Sequence, residues 1–269
     1  MSRGSLVSFI DVAAIIGALA WIPPIFVAFR AWITKPTIRV FTQPSPEIGF
    51  TTSGPIVHVR LAFTVSHKDI VITAIRLSVT HESGEQAFFS WRGIVQRMGT
   101  MNYPEIGAVP FEKESGVLAM KVSMKDIEER FIRFQSLDYL QAKDDLDVIA
   151  LKKLAYLRQS QLFDAPAFLK SSEMNDVYSY IRQSFSCKPG GYRLQVLLES
   201  PDAFTVLDDE YTFTLSPLQV GNLSDILGQV EQDFANQVMP RKPDEPLVQI
   251  VWNWMYPEMR KTNHQYSEV

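Results

Sequence analysis

The stretch that most limits what this chain can become is residues 12–29, VAAIIGALAWIPPIFVAF, which contains no charged side chain. As a helix rising 1.5 Å per residue it would reach about 27 Å, close to the hydrocarbon thickness of a bilayer. Residues 6–10 and 31–33 extend it, with Asp11 and Arg30 as the interruptions, so residues 6–33 are the segment expected to meet lipid. Trp21 and Trp32 suit an interfacial position. Pro23-Pro24 removes two backbone donors and is expected to kink the helix, which membrane spans tolerate better than soluble helices. A signal peptide cut after Ala18-Leu19-Ala20 competes with this reading. Asp11 inside its apolar region, and nine further apolar residues beyond Ala20, favour a retained anchor over residues 1–35. A buried core helix would need a polar face, and a hairpin re-entering at the prolines would have very short arms.

Charge suggests which way such an anchor points. Arg3 and the α-amine precede it, whereas Arg30, Lys35 and Arg39 follow it. The positive-inside rule therefore expects a single-pass protein with its large domain in the cytoplasm, the alternative being a periplasmic or extracellular domain. The single cysteine, Cys187, allows no intramolecular disulfide and leans the same way. Residues 36–269 carry 23 basic and 29 acidic side chains. An acidic body lacks the basic face that phosphate neutralisation requires, so nucleic acid is not an expected partner.

Beyond Lys35-Pro36 the pattern changes to alternation. Val57, Val59, Leu61, Phe63 and Val65 fall on one face, with His58, Arg60, Thr64 and Ser66 on the other. The period repeats through Ile75, Leu77 and Val79, and then, after the turn 81–85, into residues 87–91. Period two with β-branched and aromatic residues predicts half-buried antiparallel strands. Late in the chain, Pro189-Gly190-Gly191 introduces Tyr192, Leu194, Val196 and Leu198, followed by Tyr211, Phe213 and Leu215. A Pro-Gly turn entering Tyr-x-Leu-x-Val, then a second aromatic strand, resembles the late strands of immunoglobulin-like sandwiches. That is a resemblance of architecture and implies no activity.

Between these halves the spacing reads as helical. Ile127, Phe131 and Phe134 predict a helix over residues 125–134, Leu146, Ile149, Leu154 and Leu157 one over 144–161, and residues 173–185 a third. Ser216-Pro217 opens another, with Leu223, Ile226, Leu227, Val230 and Phe234 as one stripe. Val248, Ile250, Trp252 and Trp254 alternate as a last strand would, the competing reading being a partner-binding segment. The expected fold is thus an N-terminal transmembrane helix followed by a mainly-β, immunoglobulin-like sandwich over 36–269. A helical insert at about 124–187 interrupts it, making the whole α+β.

Site chemistry is sparse. The histidines are His58, His67, His81 and His264, and His81 with Glu82 and Glu85 is the nearest approach to a metal cluster. Three or four converging ligands are needed, and a polar turn readily supplies Glu and His for structural reasons. Asp144-Asp145 and Asp208-Asp209-Glu210 could serve general acid–base work, but a helix N-terminus and a turn account for them. Cys187, within SFSCKPGG, matches no thiol-enzyme signature, and no phosphate loop, G-x-S-x-G or H-E-x-x-H occurs. The sequence therefore names no catalytic, cofactor-binding or metal residue. The expectation is a membrane-anchored interaction or accessory protein with a protein partner. A membrane-bound hydrolase using His81 and Glu82, and an envelope-side binding module, are the alternatives.

Overall fold

Alternation builds most of the body. Strand β3 (Gly54–Ser66) buries Val57, Val59, Leu61, Phe63 and Val65 and turns Arg60 to solvent, as its pattern predicts. The computed structural model describes residues 19–103, 107–239, 248 and 250–262. The other strands are β1 (Thr37–Thr42), β2 (Glu47–Thr51), β4 (Ile70–Ile72), β5 (Ala74–His81), β6 (Gln86–Tyr103), β7 (Gly107–Ser115) and β8 (Met120–Val122). They are followed by β9 (Glu128–Gln135), β10 (Gly190–Glu199), β11 (Thr205–Leu207), β12 (Glu210–Leu215), β13 (Trp254–Met255) and β14 (Arg260–Lys261).

The protein is mainly β, and its principal sheet is curled. The main path runs β11-β1-β3-β9-β6-β5-β10-β12-β14, with β2, β13 and β7 attached to its sides. Two devices produce the curl. Strand β6 pairs with β5 through residues 86–90 and with β9 through 90–95, shifting register between Trp91 and Gly93. A bulge of this kind bends a strand and lets it turn a corner. At the other margin, β11 pairs parallel with β1, and only Asp208-Asp209 separates β11 from β12. The two ends of the path are thereby drawn together. The Tyr211 hydroxyl sits between the carbonyls of Val40 at 3.0 Å and Asp208 at 2.7 Å, bridging β12 to β1.

Inside the curl, Ile38, Leu61, Phe63, Ile75, Leu77 and Leu194 are among the fully buried residues of one large core. The ribbon β4–β8 closes one end of it, turning Ile70, Ile72, Met120 and Val122 into that core and Val71 and Lys121 outward. A second core is built by the helices α2 (Leu137–Gln159), α3 (Ala165–Leu169), α4 (Ser172–Gln183) and α6 (Val230–Val238), with Phe50 of β2 among them, whereas α5 (Pro217–Ser224) packs Leu223 and Val220 against the sheet core. Helices α2, α4 and α5 start at Ser136, Ser171 and Ser216, whose side chains accept from the third backbone N–H that follows. Ser216 forms a full capping box with Gln219.

Four expectations are corrected. Residues 125–134 do not form a helix: Glu128–Gln135 is the strand β9, hydrogen-bonded to β3 on one side and β6 on the other. Ile132 and Phe134 alternate inward around Arg133, and two flanking ladders satisfy the backbone that a lone helix would have satisfied itself. The helical insert consequently begins at Leu137. Within α2, Ile149 is 54% exposed and does not share the buried stripe of Ala150 and Leu154. Because α2 starts at Leu137, Asp144-Asp145 lie in its middle and exposed, and Asp138 takes the first-turn position. In the last segment only Trp254-Met255 pairs as a strand, while Ile250 and Trp252 pack against the helical core.

Of the expected anchor, residues ahead of Leu19 and the side chains of several later ones lie outside the described residues. The run is broken by a turn at Trp21, and α1 (Ile22–Ile33) follows with Pro23-Pro24 in its first turn. Twelve residues of helix reach about 18 Å, and among the described residues no helix is long and apolar enough to cross a membrane.

Candidate functional site

The curled sheet is closed at one end by β4–β8 and open at the other. The open end holds a cleft of about 310 Å³ between the starts of β3 and β10, the ends of β5 and β12, and the first residues of β6. Ile48, Val57, Val79, Phe89, Leu194 and Phe213 form much of its wall. Small-molecule and side-chain pockets have this character, apolar with a few polar groups at the margin.

The polar margin is built by the hairpin turn after β5 and the segment 186–191 that leads into β10. Register places them together, because Tyr192 pairs with His81 across β10 and β5. Gly190 has φ +138°, and a Cβ there would stand 2.5 Å from Glu82 Oε1 and 2.8 Å from His81 Nε2. Glycine alone fits that position. Around it, Gly191 N–H donates to Glu82 at 2.8 Å, Lys188 pairs with Glu85 at 2.5 Å, and His81 Nε2 meets the Pro189 carbonyl at 3.2 Å. His81 Nδ1 meets Ser83 Oγ at 2.8 Å. The Tyr192 hydroxyl donates to Lys188 O at 2.7 Å and accepts from Lys188 N–H at 2.8 Å, and its ring stacks on Phe213 at 5.1 Å. The Lys188 ammonium holds the Glu85 carboxyl below its usual range.

The residues of the hydrolase alternative are therefore brought together, but each is engaged in clasping the two loops. Among the described residues, no three His, Cys, Asp or Glu side chains gather as a metal-binding group. Cys187 lines the cleft, and burial pushes its thiol up to about 11, opposite to the depressed value a nucleophilic cysteine needs.

The remaining candidates are dispersed. His58 Nδ1–H donates to the Glu47 carboxylate at 3.1 Å, and the ring lies under Trp254, their rings 5.0 Å apart; burial is the main cause of its lowered pKa. Gly49 makes that stacking possible, since a Cβ there would meet the Trp254 ring at 2.6 Å. His67 occupies the turn after β3 at φ +76°. His264 lies outside the described residues. Asp208 pairs with Arg39 at 3.2 Å and Lys261 at 2.7 Å, and Asp209 accepts from Gln195 at 3.1 Å. These acids lock β12 to its neighbours. Sequence reasoning missed the cleft itself, whose walls come from six separate strands. The one local signal was the Gly190-Gly191 pair entering a strand. Comparison with protein families, curated proteins and solved structures finds no match to this chain.

Proposed function

We propose that this chain is a membrane-anchored accessory protein whose open sheet end receives an apolar side chain from a protein partner. The observation that carries the reading is the placement of two unlike features at opposite ends of one body. The anchor joins at Thr37, which pairs with Ser66 at the far end of β3. The cleft borders Val57, nine residues back along that strand, about 30 Å away at the usual strand rise. A body so arranged holds its apolar opening away from the bilayer that anchors it. Trp21, Ile22, Ile25 and Phe26 are all more than half exposed, which suits lipid and would be costly in water. A cleft of 310 Å³ is at the small end for ligand sites, the size of one large side chain and its surroundings.

The immunoglobulin-like form of the sandwich belongs to the same proposal. It is supported by the corner in β6 and by Tyr211, whose hydroxyl turns back to a carbonyl three residues earlier as in a tyrosine corner. It carries no function. The cytoplasmic side is favoured by Arg30, Lys35 and Arg39 after the apolar run.

Membrane partition and topology test the proposal together. The full chain is expected in the pellet after alkaline carbonate extraction, and a chain lacking residues 1–35 in the supernatant. Cys187 is too recessed for labelling, so a Cys187→Ala, Ala155→Cys chain reports the side. Maleimide reaction only after permeabilisation is expected. Release of the full chain by carbonate would contradict the anchor, and labelling in intact cells would place the body outside.

A further inference from the structure

The closed end of the body has a surface of its own. Helix α1 ends at Ile33 and β1 begins at Thr37, so three residues join them. The last of these, Pro36, is buried, and its carbonyl accepts from Thr205 N–H at 3.0 Å, tying the link to the sheet. Only Thr34 and Lys35 separate the end of the helix from fixed structure, a span of about 7 Å when extended. If α1 enters a bilayer, this end of the body must lie against it.

That end exposes large apolar side chains. Leu118 is 95% exposed, Ile127 67% and Met124 50%. They flank the ribbon β4–β8, whose outward face adds Val71. All are tied to the anchor by the pairing scheme: Ser66 pairs with Thr37, β4 starts four residues later, and β9 begins opposite Phe63, one residue after Ile127. Met124 N–H donates to Asp69 at 2.9 Å, which fixes this loop beside the β3–β4 turn. Two lysines of this end are paired within the protein. Lys121 pairs with Asp69 at 2.8 Å and Lys68 with Asp202 at 3.3 Å.

We propose that this end is a bilayer-docking surface, with Leu118, Met124 and Ile127 seated at the headgroup–acyl boundary. The inference rests on the anchor reading above and deepens it, fixing the body's orientation on the membrane as well as its attachment. Side chains of this type partition into the interface by burying apolar area. The short link makes docking intramolecular, so a contact too weak to recruit a free protein suffices to hold a tethered one. Lys68 and Lys121 are paired and Lys125 is followed by Asp126, so apolar burial rather than attraction to anionic lipid drives the docking.

The test uses the full chain with Cys187→Ala, reconstituted in phosphatidylcholine vesicles, carrying an environment-sensitive fluorophore at one introduced cysteine. Leu118→Cys and Ile127→Cys are compared with Ala155→Cys on α2, and Trp21→Cys reports the anchor. Quenching by lipids brominated along the acyl chain is expected to be several-fold stronger at 118 and 127 than at 155, and unchanged when phosphatidylserine is added. Adding Leu118→Asp and Met124→Asp is expected to reduce quenching at 127 to the level at 155, which excludes insertion by the fluorophore alone. Quenching at 21 with none at 118 and 127 would overturn the docking surface and leave the anchor standing. No quenching at 21 would overturn the anchor, and the docking surface with it.

Discussion

The two ends of the curled sheet are made from similar strands and finished in opposite ways. At the end where β1 begins, β4 and β8 form a dedicated ribbon that puts Ile70, Ile72 and Val122 at 0–1% exposure. At the other end, Val79 and Tyr192 remain partly exposed around a cleft, under a segment clasped by Lys188–Glu85 and Glu82–Gly191. The chain has the means to plug a sheet and, among the described residues, uses them once. An apolar opening left in water is a standing cost, and the usual reason for keeping one is that something occupies it.

The strongest way to break this comparison is to truncate one residue at each end. Ile72→Ala is expected to cost about 2–5 kcal/mol, as a cavity in a closed core does. Val79→Ala, on the partly wet cleft wall, is expected to cost under about 1 kcal/mol. Urea unfolding of the two variants measures both, and equal losses would mean that the ends are packed alike. Next in size is Gly190→Ala, which places a Cβ against Glu82 and His81 at a positive φ. A loss of about 1–3 kcal/mol is expected, with faster amide exchange at Gly191.

Tyr211→Phe sharpens the comparison differently, because Tyr211 draws together the margins that both ends share. Removing its hydroxyl from between Val40 O and Asp208 O is expected to cost about 0.5–1.5 kcal/mol without altering the cleft. At neutral pH the smallest effect belongs to the Cys187 thiol. Its thiol is held neutral in the folded state up to about 11, above the ordinary value of 9.0. The unfolded chain therefore loses this proton first as pH rises. Stability from this group is complete below pH 9 and declines between about 9 and 11. Cys187→Ala is expected to flatten that part of the stability–pH curve, with no change in slope at neutral pH.

Much of the sheet was legible because half-buried strands carry their burial in a period of two. Strands β3, β5, β10 and β12 were read from single residues such as Phe63, Leu77, Leu194 and Phe213, all buried as expected. Strand β9 was not, because Ile127, Phe131 and Phe134 fit a helical spacing as well as Ile132 and Phe134 fit an alternating one. Its pairing with both β3 and β6 decides between them, and neither partner is local. Helix α2 was legible in kind but not in facing. Leu146, Ala150 and Leu154 turn toward the body while Val148, Ile149 and Leu151 face solvent, so its apolar residues form two stripes. The cleft had no local signature at all, since residues 48, 79, 89, 194 and 213 meet only through strand order.

The claim at the centre of this account is that the open end receives a partner's apolar side chain, and neighbouring residues on β6 can test it. Ala87 lines the cleft, whereas Phe88 points to the other face and is 50% exposed. A photo-crosslinking phenylalanine analogue placed at either position in the full chain, irradiated in cells, reads what each face touches. A discrete protein adduct from position 87, absent from position 88 and lost when Val79→Phe fills the cleft, is the predicted result. Equal adducts from both positions, an adduct that survives the filling, or none from position 87, would contradict it.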